Sequence, residues 1–177
     1  MTRHRAASFP PVAAPGAHTL VLGSMPGIKS LEAQQSYAHP QNAFWKIMGR
    51  LFAASVDTYE QRTALITGNG LALWDVLKYC TRQGSLDSGI DNDSIEVNDF
   101  VAFLETHRHI TRIFFNGAKA ETEFTRRVLP FLPKAIATRI TCTRLPSTSP
   151  AHAGMGMEEK VRRWEKIIRC HSERSEE

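Results

Sequence analysis

Four stretches of apolar and β-branched residues recur along the chain, and each is followed by a polar loop. This pattern predicts four strands, at 18–22, 71–77, 110–115 and 138–145. Between the strands, apolar residues recur at helical spacing. The clearest case is a helix predicted from Ala43, whose apolar positions fall at i, i+3, i+4, i+7 and i+8: Phe44, Ile47, Met48, Leu51 and Phe52.

Capping residues and periodicity predict the remaining helices. Thr58 and Gln61 have the spacing of a capping box, in which the two residues satisfy each other's backbone N–H groups. The remaining helices are predicted to begin after Thr58, after Asn98 or Asp99, at Ala118 and at Met157. Strands that alternate with helices predict an α/β fold, a three-layer α/β/α sandwich around a central four-stranded parallel sheet.

Both ends of the chain lack the alternation of strands and helices, and they set the bounds of the predicted domain. Residues 1–17 contain three prolines among small and basic residues and predict an extended lead-in. Residues 18–170 should form a single domain, in which the polar stretch 81–94 is a surface loop. The polar and charged segment 171–177 predicts a disordered tail.

Composition narrows the class of protein. At 177 residues with 42% hydrophobic composition, the chain suits one globular domain. It has no apolar run near the roughly 20 residues needed to cross a bilayer, so we expect no membrane partner and a cytoplasmic location. Three widely spaced cysteines predict reduced thiols rather than a disulfide framework or a metal site. We expect a monomer without metal or cofactor, and the net charge of +4 slightly favours a polyanionic partner.

Polar loops follow all four predicted strands. In parallel sheets, ligands bind at the carboxyl edge, so these loops should converge there. The loops contain Gly23, Ser24 and Met25, then Tyr37, His39 and Asn42, and further along Asp75, Asn116, Ser147, Thr148, Ser149 and His152. Asn42 also stands where the N-cap of the following helix belongs, so a structural role is open for it.

Three of these loops resemble known motifs. They read Gly-Ser-Met-Pro-Gly from Gly23, Tyr-Ala-His-Pro-Gln-Asn-Ala-Phe-Trp from Tyr37 and Leu-Pro-Ser-Thr-Ser-Pro-Ala-His from Leu145. Their order and separations resemble those of the uracil-DNA glycosylase superfamily. The first two are similar to the mismatch-specific uracil/thymine branch, and the overall match is closest to the hypoxanthine-DNA glycosylase branch. The resemblance covers about 18–168.

The resemblance implies hydrolytic excision of a deaminated base, most readily hypoxanthine, from DNA. Such an enzyme flips the nucleotide out of the duplex and reads its base in a pocket. Tyr37 is the expected stacking partner of the base. Main-chain N–H groups of the first loop, together with Asn116 or Asp75, would form hydrogen bonds to the polar edge of the flipped base. Ser147, Thr148 and Ser149 would grip DNA phosphates.

Two positions depart from the family pattern. Most members of the superfamily carry an aspartate or asparagine where this chain has Met25, and a methionine can neither position nor activate water. The resemblance to the hypoxanthine branch moves the hydrolytic role to Asn42, with His39 as an alternative group for water or phosphate. Many relatives have histidine or asparagine where this chain has Leu145, so a histidine donor to the departing base is absent at that position. His152 could lie near the part of the pocket where that donor would be. The family's four-cysteine branches hold an iron–sulfur cluster, which is not expected here.

Two other functions remain open from the sequence. One is a glycosylase for uracil or for mismatched thymine, which the run from Tyr37 to Trp45 favours and Met25 disfavours. The other is a non-catalytic domain that binds damaged DNA, in which Met25 and Leu145 mark lost chemistry. Five basic residues could add phosphate attraction: Lys29, Lys119, Arg144, Arg162 and Arg163.

Overall fold

The computed structural model describes residues 3–169 and contains two sheets and a set of surrounding helices. The strands are β1 (His4–Ala7), β2 (Thr19–Gly23), β3 (Leu71–Asp75), β4 (Leu77–Arg82), β5 (Glu96–Val97), β6 (Arg112–Asn116) and β7 (Thr141–Leu145). The helices are α1 (Ile28–Ala33), α2 (Phe44–Leu51), α3 (Tyr59–Gly68), α4 (Phe100–Thr106), α5 (Ala118–Arg127), α6 (Lys134–Arg139), α7 (Met157–Trp164) and α8 (Lys166–Arg169). Short 3₁₀ turns lie at Asp87–Gly89, Asn92–Ser94 and Leu129–Phe131.

The central sheet is parallel and has the strand order β3-β2-β6-β7. The last residues of neighbouring strands are in register, because Gly23 pairs with Asp75 and Asn116 pairs with Leu145. The strand order reverses beside β2, with β3 on one side and β6 on the other. Such a reversal opens a crevice at the carboxyl edge. The four-stranded parallel sheet predicted from the sequence is confirmed.

Side chains that alternate along β2 enter two different cores. Leu20 and Leu22 pack into a cluster that includes residues of α4 and α5. Val21 packs into a second cluster, with residues of α2, α3 and α7. Because helices cover both faces of the parallel sheet, the inner strand β2 is buried at every position, whereas the edge strand β7 is mostly exposed. The predicted three-layer α/β/α arrangement is confirmed.

The second sheet was not predicted. Its order is β1-β4-β5, and both pairings are antiparallel. Strand β1 lies inside the segment predicted as an extended lead-in, and Val12 forms an isolated bridge to Leu73. The indole N–H of Trp74 also donates to the Phe9 carbonyl at 3.0 Å. The lead-in prediction was therefore wrong for residues 4–7, which form a strand. The strand is held by backbone hydrogen bonds to β4, and nothing in the local sequence of 4–7 indicates that pairing.

The predicted strand 71–77 is in fact two strands. Strand β3 ends at Asp75 and β4 begins at Leu77. The predicted surface loop 81–94 starts inside β4, and Arg82 forms a bridge to Ile90. Lys78, Thr81 and Arg82 make up half of β4, so its sequence resembles a loop although Leu77, Cys80 and Arg82 are buried.

Most helix predictions hold, with shifted boundaries. The capping box of α3 is present, with Thr58 accepting from the Gln61 N–H and Gln61 accepting from the Thr58 N–H. Asp99 accepts from the Ala102 N–H at the start of α4. Helices α1 and α6 were not predicted, and α6 takes the first residues of the predicted strand 138–145. Helices α7 and α8 replace one predicted helix and are separated at Glu165.

Within residues 3–169, no helix has the length and apolar character needed to span a bilayer. The predicted disordered tail at 171–177 lies outside the described residues.

Candidate functional site

A pocket of about 610 Å³ opens at the carboxyl edge of the parallel sheet. It is lined by the loop after β2, the segment before α2, the last residue of β3, the end of β6 with the start of α5, and two loops near its mouth. All twelve residues singled out from the sequence line it: Gly23, Ser24, Met25, Tyr37, His39, Asn42, Asp75, Asn116, Ser147, Thr148, Ser149 and His152. Their convergence follows from the parallel register, and their roles stay predictions.

The loop after β2 is anchored through its carbonyl oxygens. The Gly23 carbonyl accepts from Val76 N–H at 2.8 Å and the Ser24 carbonyl from Leu77 N–H at 3.1 Å. The buried Arg82 guanidinium donates to the Pro26 carbonyl. A trans peptide directs its N–H opposite to its carbonyl, so the following N–H groups point away from these anchors. Main-chain donors of this loop are therefore available to the pocket.

Three residues form what we call the floor of the pocket: Gly23, Tyr37 and Asp75. A Cβ atom on Gly23 would lie 2.6 Å from Asp75 Oδ1 and 2.9 Å from the Tyr37 hydroxyl. Real Cβ atoms do not approach oxygen so closely, so any larger residue at this position would displace Asp75 or Tyr37. The Asp75 carboxyl and the Tyr37 hydroxyl therefore both lie close to the bare backbone of Gly23.

Burial and nearby charge make the Asp75 carboxyl unusual. Removal from solvent raises its pKa to about 7, the Asp87 carboxylate adds to this rise, and the Arg82 guanidinium opposes it. At neutral pH, Asp75 is therefore divided between its protonated and ionised forms. A carboxyl group in that state can donate as well as accept a hydrogen bond.

Arg82 lies beneath the pocket and is fully buried, with 0% exposure. Burial lowers the pKa of its guanidinium, while the charges of Asp87 and Asp75 act in the opposite direction. Its Nε and Nη1 groups have no hydrogen-bond partner within residues 3–169. Arg82 thus holds the first loop through Pro26 and leaves a positive charge behind Asp75.

Tyr37 is held by aromatic neighbours. Its ring stacks on Phe44, with centroids 4.1 Å apart and planes 23° apart, and meets the edge of Trp45. The Tyr37 backbone is left-handed, with φ of 54°, a conformation that concentrates at functional sites. Its hydroxyl is buried and has no hydrogen-bond partner among the described residues. Burial, followed by the Asp75 charge, raises the pKa of this phenol above its ordinary value.

Asn42 lies two residues before the start of α2 at Phe44, and the Phe44 N–H orients its side chain. Its Oδ1 accepts from the Phe44 N–H at 3.0 Å, although Ala43 occupies the N-cap position itself. The predicted cap was therefore one residue early, but the side chain still satisfies a backbone N–H of the first turn. One lone pair of Oδ1 and both N–H groups of Nδ2 are not used in this bond.

His39 is exposed and its ring has a defined tautomer. Nδ1 accepts from the Gln41 N–H at 3.1 Å, and the His39 carbonyl accepts from the Asn42 N–H at 2.9 Å. An Nδ1 that accepts has no proton, so a neutral ring carries its proton on Nε2. His39 therefore offers a donor at Nε2 while it shapes the turn that leads to Asn42.

Thr148 connects three walls of the pocket. Asn116 Nδ2 donates to Thr148 Oγ1 at 2.9 Å, and the Thr148 N–H donates to Asn116 Oδ1 at 2.9 Å. The Thr148 carbonyl accepts from the Ala43 N–H at 3.0 Å. Because Thr148 is only 1% exposed, this geometry does not favour its predicted contact with phosphate. It also gives the Asn116 amide a structural partner, which leaves that amide one N–H for the pocket.

The loop 146–152 has a supported base and a hydroxyl-bearing surface. The Trp164 indole donates to the Pro146 carbonyl at 2.9 Å, and the Lys160 ammonium donates to the His152 carbonyl at 2.8 Å. Ser147 and Ser149 accept from backbone N–H groups of their own loop, each at 3.2 Å. Those contacts use hydroxyl oxygens as acceptors and leave the hydroxyl protons available to a ligand.

The loop 83–89 completes the mouth of the pocket, and sequence reasoning missed it. Ile28 N–H donates to Ser85 Oγ at 2.9 Å, and Ser24 Oγ donates to Asp87 Oδ1 at 2.6 Å. Leu86, between these two residues, is 54% exposed and also lines the pocket. An apolar residue between two polar ones in a predicted loop was the only available sequence signal.

The five basic residues considered from the sequence are not equivalent. Lys29 and Lys119 line the pocket, whereas Arg144, Arg162 and Arg163 do not. The Lys119 ammonium lies 3.0 Å from the buried Glu123 carboxylate and donates to Asn92 Oδ1. Its charge is therefore largely committed within the protein, and Lys29 is the more accessible of the two at the pocket.

Comparisons with known proteins agree with this geometry. The family model of the uracil DNA glycosylase superfamily matches residues 10–168. A hypoxanthine DNA glycosylase from Methanosarcina acetivorans is 33% identical over 164 residues, which cover 91% of this chain and 96% of that protein. A hypoxanthine DNA glycosylase from Methanosarcina barkeri is 33% identical over 114 residues, covering 63% of this chain and 71% of that protein.

A solved structure shares the fold. It is a solution NMR structure from Methanosarcina acetivorans, named provisionally as a uracil DNA glycosylase. The two folds superpose with a TM-score of 0.77 at 30% sequence identity, over 94% of this chain and 98% of that one.

Proposed function

The chain belongs to the uracil DNA glycosylase superfamily and is a DNA glycosylase, and from that premise we propose that it excises hypoxanthine from deoxyinosine in DNA. The floor of the pocket carries this proposal. The Asp75 carboxyl and the Tyr37 hydroxyl both approach the bare backbone of Gly23 there. The similarity to two proteins named hypoxanthine DNA glycosylase supports the same substrate.

The floor suits the polar edge of a deaminated base. Hypoxanthine presents an N–H donor beside a carbonyl acceptor, and a protonated carboxyl group can bind both at once. Asp75 has a pKa of about 7 because it is buried near Asp87. Main-chain N–H groups of the first loop and the remaining N–H of Asn116 add further contacts to the edge.

Tyr37 supplies the stacking face. One side of its ring is covered by Phe44, and the ring lines the pocket. A flipped base that stacks on such an aromatic ring gains about 1–3 kcal/mol. The left-handed backbone and the packing against Phe44 and Trp45 fix the ring before DNA binds, which lowers the entropic cost of binding.

Asn42 carries the hydrolytic role in this proposal. Met25 is 7% exposed and belongs to an apolar cluster, so the first loop provides no polar side chain at that position. The Phe44 N–H holds Asn42 Oδ1, and the remaining groups of the amide orient a water towards the sugar. As the glycosidic bond breaks, the amide oxygen stabilises the positive charge that develops on the sugar. His39 can donate from Nε2 to the same water or to a phosphate.

The proton balance assigns a second role to Asp75. When the bond between the sugar and the base breaks, its electron pair moves to the base. The protonated Asp75 carboxyl supplies a proton to the departing base, which many relatives would obtain from a histidine where this chain has Leu145. The water oxygen bonds to the sugar carbon and loses its proton to solvent, because asparagine is not a base at neutral pH.

Ser147 and Ser149 grip the DNA backbone beside the target nucleotide. Their hydroxyl oxygens accept from the loop itself, which leaves their protons available for donation to a phosphate. Such contacts fix the position of a DNA strand without reading its sequence. His152, exposed at the end of the same loop, adds a donor to this strand.

The test is excision from labelled duplexes that contain one hypoxanthine, one uracil, one mismatched thymine or only normal bases. After incubation, hot alkali cuts the strand at each abasic site and a sizing gel measures the product. We expect cleavage at hypoxanthine and none in the normal duplex. Loss of the base without alkali-independent strand scission would establish simple hydrolysis.

Excision of uracil is the second candidate, because uracil shares the N–H and carbonyl edge that Asp75 would read. A faster reaction at uracil than at hypoxanthine would replace the proposed substrate. Binding to damaged duplexes with no excision at any base would contradict both and indicate a damage-binding domain.

A further inference from the structure

Arg82 is buried with a charge that its structural contact does not require. It is 0% exposed, and it donates to the Pro26 carbonyl. Its Nε and Nη1 groups find no partner anywhere in residues 3–169. The Gly23 and Ser24 carbonyls of the same loop are held by uncharged main-chain N–H groups. An arginine keeps its charge when buried, and an incompletely paired buried charge destabilises a fold, so holding Pro26 does not account for the charge.

Asp87 binds the same loop from the mouth of the pocket. Its exposed carboxylate accepts from the Ser24 hydroxyl at 2.6 Å. Ser24 follows Gly23, and the Asp75 carboxyl lies against the Gly23 backbone, since a Cβ there would be 2.6 Å from Asp75 Oδ1. The loop therefore fixes a cation at Pro26 and an anion at Ser24, both within three residues of the place where the Asp75 carboxyl lies.

These two charges act on the Asp75 carboxyl in opposite directions. Burial raises its pKa, the Asp87 carboxylate adds to the rise, and the Arg82 guanidinium opposes it. Burial also raises the pKa values of the Tyr37 phenol and the Cys80 thiol, so both are uncharged at neutral pH and add no third charge. The basic and titratable groups that face the pocket from other elements are Lys29 on α1, Lys119 on α5, His39 and His152.

We propose that Arg82 and Asp87 are positioning residues for the reaction, which hold the first loop from beneath and from the mouth and balance the readiness of Asp75 to give up and to regain its proton. This inference rests on the proposed function, since it requires Asp75 to protonate the departing base. When the glycosidic electron pair moves to the base and the proton follows, a carboxylate is left on Asp75, and the Arg82 charge stabilises it. After the base leaves, the Asp87 charge favours the return of a proton from solvent. An acid balanced in this way works near neutral pH.

Asp87→Asn tests the negative charge. The asparagine still accepts from the Ser24 hydroxyl, so the contact remains while the charge is lost. Without that charge the Asp75 carboxyl ionises more readily, and the fall of the excision rate with rising pH should move about 0.5 to 1 pH unit lower. On the hypoxanthine duplex, single-turnover excision at pH 8 should be roughly three- to tenfold slower than in wild type, and the two rates should converge at about pH 5.

Arg82→Met tests the positive charge and should act in the opposite direction. Methionine is a long, flexible side chain that fills much of the same space without a charge, so the Asp75 carboxylate loses its stabilisation. The fall in rate should therefore move about 1 pH unit higher. Because the Pro26 carbonyl also loses its donor, the first loop shifts, and kcat/KM at pH 6 should be roughly tenfold lower.

Each variant has a matched control outside the pocket. Arg139→Met removes a guanidinium that donates to the Leu104 carbonyl at 2.5 Å and to the Ile110 carbonyl at 3.3 Å. Asp93→Asn removes an exposed carboxylate from the segment between β4 and β5. Neither Arg139 nor Asp93 lines the pocket, so both controls should keep the pH profile of wild type.

The opposite directions of the two shifts are the critical result. Profiles of Arg82→Met and Asp87→Asn that move in the same direction would overturn the inference. Because Asp87 is exposed, Asp87→Asn tests the balance even where Arg82→Met does not fold, and a wild-type profile in Asp87→Asn would contradict the proposal.

A measurement on the protein without DNA separates this inference from the proposed function. Carbon-13 signals of labelled aspartate carboxyl groups report ionisation directly, and the signal that is missing in Asp75→Asn identifies Asp75. Its pKa should be lowest in Asp87→Asn, about 7 in wild type and highest in Arg82→Met. No excision by wild type at any base would overturn the proposed function. Excision by wild type, with the same Asp75 pKa in all three proteins, would overturn this inference alone.

Discussion

At the floor of the pocket, Tyr37 has a buried hydroxyl without a hydrogen-bond partner among the described residues, and Asp75 has a carboxyl that resists ionisation. At the mouth, by contrast, Ser147, Ser149 and Asp87 each accept a hydrogen bond from within the protein. An unpaired buried polar group costs roughly 1–3 kcal/mol. Among the described residues, that cost falls on the Tyr37 hydroxyl at the floor and on Arg82 beneath the pocket, and a ligand with a polar edge would relieve it at Tyr37.

The difference separates two tasks. A floor with unmet polar groups gains free energy only when the right partner arrives, so it suits recognition of one base and chemistry on it. A mouth whose oxygen atoms already accept hydrogen bonds within the protein keeps its shape without DNA and suits contacts with a strand of any sequence. Changes at the floor should therefore alter the rate of reaction strongly, whereas changes at the mouth should alter binding modestly.

The largest effect is expected for Asn42→Ala. It removes the amide proposed to orient water and to stabilise developing charge, and loss of such a group typically lowers a rate roughly 10²- to 10³-fold. It also removes the acceptor of the Phe44 N–H, at a cost of about 1 kcal/mol in unfolding free energy. Single-turnover excision and urea unfolding measure the two effects.

Thr58→Ala is the matched control for Asn42→Ala. Thr58 also satisfies a backbone N–H at the start of a helix, but it does not line the pocket. It should lose a similar amount of stability and keep its excision rate. Equal excision rates for Asn42→Ala and Thr58→Ala would show that Asn42 only satisfies a backbone N–H of α2 and has no part in catalysis.

The next effect is expected for Asp75→Asn, which tests the protonated carboxyl. An asparagine cannot supply a proton to the departing base, so excision at pH 6 should fall roughly 10- to 100-fold. In wild type the rate should decline as pH rises through about 7, because Asp75 loses its proton there. That decline should be absent in Asp75→Asn, and an identical pH profile in both proteins would contradict the role.

Although Asp75→Asn should slow excision, the same substitution should make the protein more stable at alkaline pH. The native pKa of about 7 lies above the ordinary value of an unfolded aspartate, so between roughly pH 4 and pH 7 the native state holds more protons. Stability therefore falls as pH rises through this window. Asp75→Asn should be more stable than wild type by roughly 1–3 kcal/mol at pH 8, and the two should converge near pH 4. Asp57→Asn, an exposed carboxylate outside the pocket, should show no such gain.

Gly23→Ala tests the shape of the floor. Its Cβ would lie 2.6 Å from Asp75 Oδ1 and 2.9 Å from the Tyr37 hydroxyl, so one of these groups must move. Small displacements of groups that position a reacting base are costly, and we expect roughly a tenfold lower kcat/KM. Steady-state kinetics on the hypoxanthine duplex measure the effect.

Gly27→Ala is the control at the mouth. Its Cβ would meet Ser85 Cβ and Oγ at 3.7 Å, an ordinary contact, and its backbone φ of −72° suits any residue. It should stay within about twofold of wild type, since surface changes away from such constraints have small effects. Comparable losses for both variants would mean that the loop as a whole, rather than the floor, is sensitive.

The floor was more accessible to sequence reasoning than the mouth, for a physical reason. Gly23, Asp75 and Asn116 each end a strand of the parallel sheet, and parallel strands bring their carboxyl ends to one edge. The apolar runs that reveal those strands exist because both faces of the sheet are buried. Periodicity and topology together therefore predicted which residues meet, though not their burial or protonation.

The second sheet defeated the same reasoning. Strand β4 mixes Lys78, Thr81 and Arg82 with buried residues, so no apolar alternation marks it. Arg82 is fully buried beneath the pocket, a placement that composition alone argues against. Because the loop 83–89 depends on this sheet for its position, neither the place of Leu86 nor the bonds that Ser85 and Asp87 make to Ile28 and Ser24 could be predicted.

The smallest effect is expected at the mouth, for Ser147→Ala. The substitution removes one hydroxyl that accepts from the Ser149 N–H and is proposed to donate to a phosphate. A neutral hydrogen bond contributes about 0.5–1.5 kcal/mol, so KM should rise roughly two- to tenfold while kcat stays unchanged. Since a hydroxyl carries no charge and releases no counterion, the dependence of binding on salt should be unaltered. Ser55→Ala, an exposed serine outside the pocket, should leave KM unchanged. A fall in kcat for Ser147→Ala would place that loop with the floor, because a group that only holds the strand contributes equally before and during the reaction.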